Sequence, residues 1–221
     1  MTDFAAARRH MVDGQVRTAA VSDEAVVGAM LDVPREEFLP DAQRSIAYLD
    51  LEVEVTGGRS PARRLMTPMT LARLLQAADL DAGRKVLVVG CSTGYTVAIV
   101  ARMGCEVTGT EGDSALAASA RSNLSRLGIA GPTIVEADAL SGCPDKAPFD
   151  VIFLDGAAAR EPLALYDQMK LDGCLVGVFA LTRPPQARKV VKSTKGIGYL
   201  MLFDATAPVL PGLERIPSFE F

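Results

Sequence analysis

The chain has 221 residues, 49% of them hydrophobic and 23% charged, which suits one sizeable globular domain and excludes a disordered or fibrous protein. A formal net charge of −4, with Lys and Arg scattered, gives no broad positive surface, so nucleic-acid binding is not expected. One histidine, His10, and four cysteines (Cys91, Cys105, Cys143 and Cys174) without a Cys-x-x-Cys pair leave little for a zinc site or a Ser-His-Asp triad. No metal is expected, and the thiols are expected to be free. The first residues carry charge at Asp3, Arg8 and Arg9 and form no long apolar run, so neither a signal peptide nor a membrane span is expected and the predicted location is cytoplasmic.

Residues 4 to about 50 read as helical. Phe4, Met11, Val12 and Val16 approximate a helical stripe that Gly14 weakens. A second helix is predicted to start at Ser22, with Asp23 and Glu24 in its first turn, and to stop before Pro34. Residues 57–61 read as loop. The basic groups at 59–64 and 183–195 read as solvated faces. Thr67-Pro68 has the form of a helix entry and leads into an apolar stripe over 69–78.

From residue 85 short β-branched runs alternate with helical stretches. Strands are predicted at 85–89, 106–111, 133–136, 150–154 and 175–179, and helices at 95–103, 113–127 and 160–169. That alternation implies a doubly wound, mostly parallel α/β sheet of Rossmann-like type. Two extended runs at 187–194 and 198–204, joined by Lys195-Gly196-Ile197-Gly198, read as an antiparallel pair closing one edge. The expected organisation is an N-terminal helical segment with a substrate-side loop over 1–66, a cofactor-binding α/β domain over 67–205, and a tail over 206–221.

In such sheets ligands bind beyond the carboxyl ends of the strands, near the point where strand order reverses. The first strand runs into Gly90, Cys91, Ser92, Thr93 and Gly94 and then a helix, a turn suited to close backbone approach and anion binding. Glu111 ends the second strand, about twenty residues on, where a carboxylate accepts from ribose hydroxyls. Asp138 with Ala139 follows the third strand, and Asp155 ends the fourth. Singly, each is also readable as a turn or helix cap. Together they point to a nucleoside-type cofactor. The Gly-x-x-x-Gly spacing differs from the dinucleotide Gly-x-Gly-x-x-Gly, and the chain lacks room for a separate substrate domain. Adenosylmethionine therefore suits the site better than a nicotinamide dinucleotide.

Several stretches resemble the protein-L-isoaspartate O-methyltransferases. They are Met11-Val-Asp-Gly-Gln15-Val-Arg17, Val33-Pro-Arg35-Glu-Glu-Phe38-Leu-Pro40, Val86 to Tyr95, Pro148-Phe-Asp-Val-Ile152 and Leu171 to Val176. The resemblance implies a seven-stranded methyltransferase sheet with a reversed final strand, S-adenosyl-L-methionine as cofactor, and a peptide or protein carboxylate as acceptor. It implies cofactor contacts at Gly90 through Gly94, Glu111 and Asp138, and a monomer or homodimer. Three positions depart from the family: Val88 replaces an acidic residue, Ser92 replaces a glycine, and Met66 replaces the serine of an Ile-Ser-x-Pro segment at the methyl-transfer site. Met66 and Thr67 are thus the candidate catalytic positions. Thr67 is readable either as a replacement hydroxyl or as the cap of the following helix. The alternatives are a methyltransferase with another acceptor and a cofactor-binding homologue without isoaspartyl activity.

Overall fold

A computed structural model describes residues 3–215. The first two residues of the predicted 1–66 segment, and the last six of the 206–221 tail, lie outside them. Helix α1 (Phe4–Met11) is capped by the Asp3 carboxylate, which accepts from the Ala6 N–H at 2.9 Å. The weak point at Gly14 emerges as a single π-helical turn over Val12–Val16, followed by a 3-10 turn over Arg17–Ala19. Helix α2 (Glu24–Asp32) starts one residue later than predicted: Asp23, not Ser22, is the cap, accepting from the Ala25 and Val26 N–H groups. The rest of the helical prediction resolves into 3-10 turns at Arg35–Phe38 and Asp41–Ile46.

Strands β1 (Val53–Glu54) and β2 (Arg64–Leu65) pair antiparallel and bring together the ends of the 55–63 loop. Helix α3 (Pro68–Ala78) follows directly. The main sheet contains β3 (Lys85–Val89), β4 (Glu106–Glu111), β5 (Thr133–Glu136), β6 (Phe149–Ala158), β7 (Met169–Phe179), β8 (Gln186–Ser193) and β9 (Gly196–Asp204). Their order is β5-β4-β3-β6-β7-β8-β9; the pairs from β5 to β7 are parallel, and both β7–β8 and β8–β9 are antiparallel. The reversed strand therefore lies inside the edge, between β7 and β9. Helices α4 (Tyr95–Arg102) and α5 (Ser114–Arg126) agree with the predicted stretches to within a residue. The stretch predicted as helical over 160–169 shrinks to α6 (Leu163–Asp167). Pro162 delays its start, and Met169 already pairs with Phe149 as the first residue of β7.

Alternation along the strands divides the core between the two sheet faces. Val86, Val88, Val151, Phe153 and Val176 point to the face that also buries Met11, Val26, Met30, Phe38, Leu71 and Leu75. The N-terminal helices thus share one core with the sheet. Leu87, Val89, Ile152, Leu154 and Leu175 point to the other face, against Leu165, Tyr166, Leu210 and Leu213. All four cysteines are free thiols, and no helix among the described residues is long and apolar enough to cross a membrane.

Packing between β6 and β7 is tight enough to dictate a residue. A Cβ placed on Gly177 would stand 2.6 Å from the Leu154 Cβ, an atom held by the strand backbone. Gly177→Ala is expected to lower stability by roughly 1–3 kcal/mol, read as a fall in the urea midpoint with unchanged slope.

Candidate functional site

Strand order reverses at β3, which pairs with β4 on one side and β6 on the other. The turn after β3 is built from left-handed residues: Gly90 at φ 73°, Ser92 at φ 51° and Gly94 at φ 94°. Gly94 is also the residue from which α4 starts, and its N–H closes the turn onto the Cys91 carbonyl at 2.8 Å. Ser92 pays a backbone cost there that a glycine avoids, because its Cβ crowds the following carbonyl. Its hydroxyl is buried without a hydrogen-bond partner, as is that of Thr93. Cys91 lies under the sheet end, and burial, with Glu111 and Asp155 nearby, pushes its thiol well above the ordinary range.

Glu111, at the end of β4, has a fully buried side chain. Its Oε1 accepts from the Arg63 guanidinium at 2.9 Å and from the Asp113 N–H at 3.1 Å, and its Oε2 accepts from the Ser92 N–H at 2.8 Å. Arg63 also donates through Nη2 to the Gly90 carbonyl at 3.0 Å. This corrects the expectation of a solvated charge at that position: Arg63 is 6% exposed and lies across the ends of β3 and β4. Arg188, in the second basic group, is buried as well, with its guanidinium over the Phe179 and Tyr199 rings. Arg59, by contrast, pairs with Asp113 at the surface.

Asp138 is exposed, and its carboxylate accepts from the Ser141 N–H and hydroxyl, which shapes the turn after β5. Asp138, Ala139, Glu111, Gly112 and Ser114 face a cavity of about 540 Å³, within the size range of sites for small organic ligands. Asp155, on β6 at the other side of β3, is buried, with Oδ1 accepting from the Thr96 hydroxyl at 2.9 Å and Oδ2 without a partner.

On the loop side, Thr67 caps α3. Its hydroxyl accepts from the Thr70 N–H at 3.2 Å and donates to the Thr70 hydroxyl at 3.0 Å. Met66 is buried in the core, and its carbonyl accepts from Arg35 Nη2 at 2.7 Å. Arg35 is itself wholly buried over the Tyr95 ring.

Sequence reasoning missed two residues at these strand ends. Arg63 looked like any loop arginine, since nothing in a Pro-Ala-Arg-Arg run reveals which side chain turns inward. Leu210 belongs to the tail, and its methyl groups cover the turn: a Cβ on Gly90 would meet Leu210 Cδ2 at 2.5 Å, and one on Gly156 would meet it at 2.7 Å.

A family model described as protein-L-isoaspartate(D-aspartate) O-methyltransferase matches residues 6–198. The chain is 36% identical over 176 residues to a protein-L-isoaspartate O-methyltransferase of Koribacter versatilis, spanning 80% of this chain and 78% of that one. It is 34% identical over 194 residues to protein-L-isoaspartate O-methyltransferase 1 of Rhodopseudomonas palustris, spanning 88% and 77%. A solved protein-L-isoaspartate O-methyltransferase superposes with a TM-score of 0.83 at 26% identity, covering 94% of this chain and 67% of that one. The fold is also that of a Plasmodium falciparum structure described as a putative member, in complex with S-adenosyl-L-homocysteine, at a TM-score of 0.78 and 21% identity over 92% and 97% of the two chains.

Two outcomes test this geometry. Ser92→Gly is expected to raise stability by up to about 1 kcal/mol in urea unfolding, since it relieves a left-handed residue and removes an unpaired buried hydroxyl. Burial raises the Asp155 carboxyl from 3.8 to about 6, against the opposing pull of the Thr96 hydroxyl, Arg63 and Arg35. A carboxyl whose folded value lies above its unfolded one favours the folded state most below the unfolded value, and that stability is lost as pH rises through the folded value. Asp155→Asn removes this dependence. Relative to wild type, the variant is expected to gain roughly 1–3 kcal/mol between pH 4 and pH 7.5; a constant difference across that window would contradict a buried, proton-binding Asp155.

Proposed function

The chain belongs to the protein-L-isoaspartate(D-aspartate) O-methyltransferase family, and on that footing we propose that it methylates the free α-carboxylate of an isoaspartyl residue in altered protein. The observation that carries this reading is the pairing of family membership with two carboxylates, Glu111 and Asp138, at adjacent strand ends beside one cavity. S-adenosyl-L-methionine supplies, when bound, an electrophilic sulfonium methyl.

The residues present suit that cofactor in kind. Asp138 offers an accessible carboxylate to the adenosine end, Glu111 offers another to ribose hydroxyls, and the Gly90–Gly94 turn offers a backbone cradle for an amino-acid end. The acceptor is already ionised at neutral pH, so no strong general base is needed. What remains for the protein is alignment and exclusion of water.

Met66 favours a second reading, in which the acceptor is a carboxylate other than an isoaspartyl one. The Thr67 hydroxyl is engaged in its helix cap, which supports reading it as a cap over reading it as a replacement for the missing serine. Transfer of labelled methyl to paired isoaspartyl and aspartyl peptides separates the two. Label on the isoaspartyl peptide alone is expected. Label on neither peptide, with adenosylhomocysteine still bound, would move the assignment to another acceptor.

Two substitutions sharpen the assignment. Asp138→Asn keeps an oxygen for Ser141 while removing the charge, and it is expected to weaken adenosylhomocysteine binding by roughly 1–3 kcal/mol in calorimetry. Thr67→Ala is expected to cost about 1 kcal/mol of stability through the lost cap and to leave the rate of methyl transfer unchanged.

A further inference from the structure

The inner end of the proposed cofactor cleft is filled by the chain itself. The Arg63 guanidinium bridges the Gly90 carbonyl and the Glu111 carboxylate, one on each of two neighbouring strand ends. With Ser92 and Asp113 also donating, Glu111 holds three hydrogen bonds and its side chain has no exposed surface. A carboxylate has about four lone-pair sites, so this one cannot also take a ribose diol across both oxygens while Arg63 stays.

The hollow over the glycine turn is filled by a second element. Residues 208–213 are zipped onto the end of β6: the Ala157 N–H donates to the Pro208 carbonyl, the Leu210 N–H to the Ala157 carbonyl, and the Ala159 N–H to the Leu213 carbonyl, at 2.8–2.9 Å. That pairing sets Leu210, 1% exposed, against Gly90 and Gly156. The 540 Å³ cavity opens past Asp138, Gly112 and Ser114, and Arg63, Glu111 and Gly90 form its inner wall.

We propose that Arg63, backed by Leu210, is an internal competitor for the cofactor site and sets the affinity of this chain for an adenosyl ligand. This rests on the cofactor reading above. In the closed arrangement the Glu111 oxygens are engaged by the protein and Leu210 lies against the glycine turn. Full binding requires the guanidinium to leave Glu111 to the ribose, and Leu210 to leave the glycine hollow to the amino-acid end. An equilibrium that favours the closed form lowers apparent affinity by the fraction of molecules that are open. The interactions of the closed form belong to the protein without ligand, so the cost falls on association and not on release.

The test is calorimetry and stopped-flow binding of S-adenosylhomocysteine to wild type, Arg63→Leu and Leu210→Ala, each checked for a cooperative melt. Both variants are expected to bind at least about tenfold more tightly, through faster association at a similar dissociation rate. Wild type is expected to show an observed rate that saturates with ligand concentration. Equal or weaker binding by a folded Leu210→Ala overturns the proposal, and does so even if Arg63→Leu fails to fold with Glu111 left unpaired. No binding by any of the three overturns the cofactor reading and this proposal with it. Tight wild-type binding with unchanged variants overturns only the competitor.

Discussion

A buried carboxylate must find donors, and in this protein the demand of Glu111 organises the whole ligand face of the sheet. Leaving such a charge unpaired costs several kcal/mol, so the surrounding chain is shaped to supply partners. Three arrive from three different segments: Arg63 from the loop between β1 and β2, Ser92 from the turn after β3, and Asp113 from the start of α5. Each bond also fixes the segment that gives it. The 55–63 loop is drawn over the strand ends, the turn keeps its left-handed Ser92, and α5 begins where the Asp113 carboxylate can cap it.

The same hub reaches the segment that follows the loop. Met66 follows Arg63 by three residues, with β2 between them, and the Met66 carbonyl is held by the fully buried Arg35. The stretch from Arg63 to Met66 is thus held at both ends by buried arginines, one on a carboxylate and one on carbonyls. Met66 therefore sits in a rigid frame set by Arg35 and Arg63. Family membership carries a methyltransferase fold and activity.

Much of the sheet was legible because its strands are short β-branched runs ending in glycine or acid. The bounds of β3, β4 and β5 coincide with the predicted ones, and β6 and β7 were shortened because Gly156, Asp172 and Gly173 interrupt their apolar pattern. The N-terminal segment was legible as helical but not as a mixture of α, π and 3-10 turns, since Gly14 and the Pro34 and Pro40 breaks act through geometry that periodicity does not encode. Among the candidate ligand residues, those at strand ends were visible from the sequence, because topology alone puts them on one edge. Arg63 and Leu210 were not. Whether a loop arginine turns inward, or a tail leucine folds back, depends on a partner far along the chain, and no local spacing reports it.

The central claim is that one carboxylate, Glu111, is shared in turn between the protein's own arginine and its ligand. Crystal structures of the same protein with and without S-adenosylhomocysteine test it most directly. The account predicts the Arg63–Glu111 contact of 2.9 Å in the free protein and its loss in the complex, with ribose hydroxyls on Glu111 and Leu210 lifted from Gly90. A complex in which the ligand is fully seated while Arg63 still holds Glu111 would contradict it.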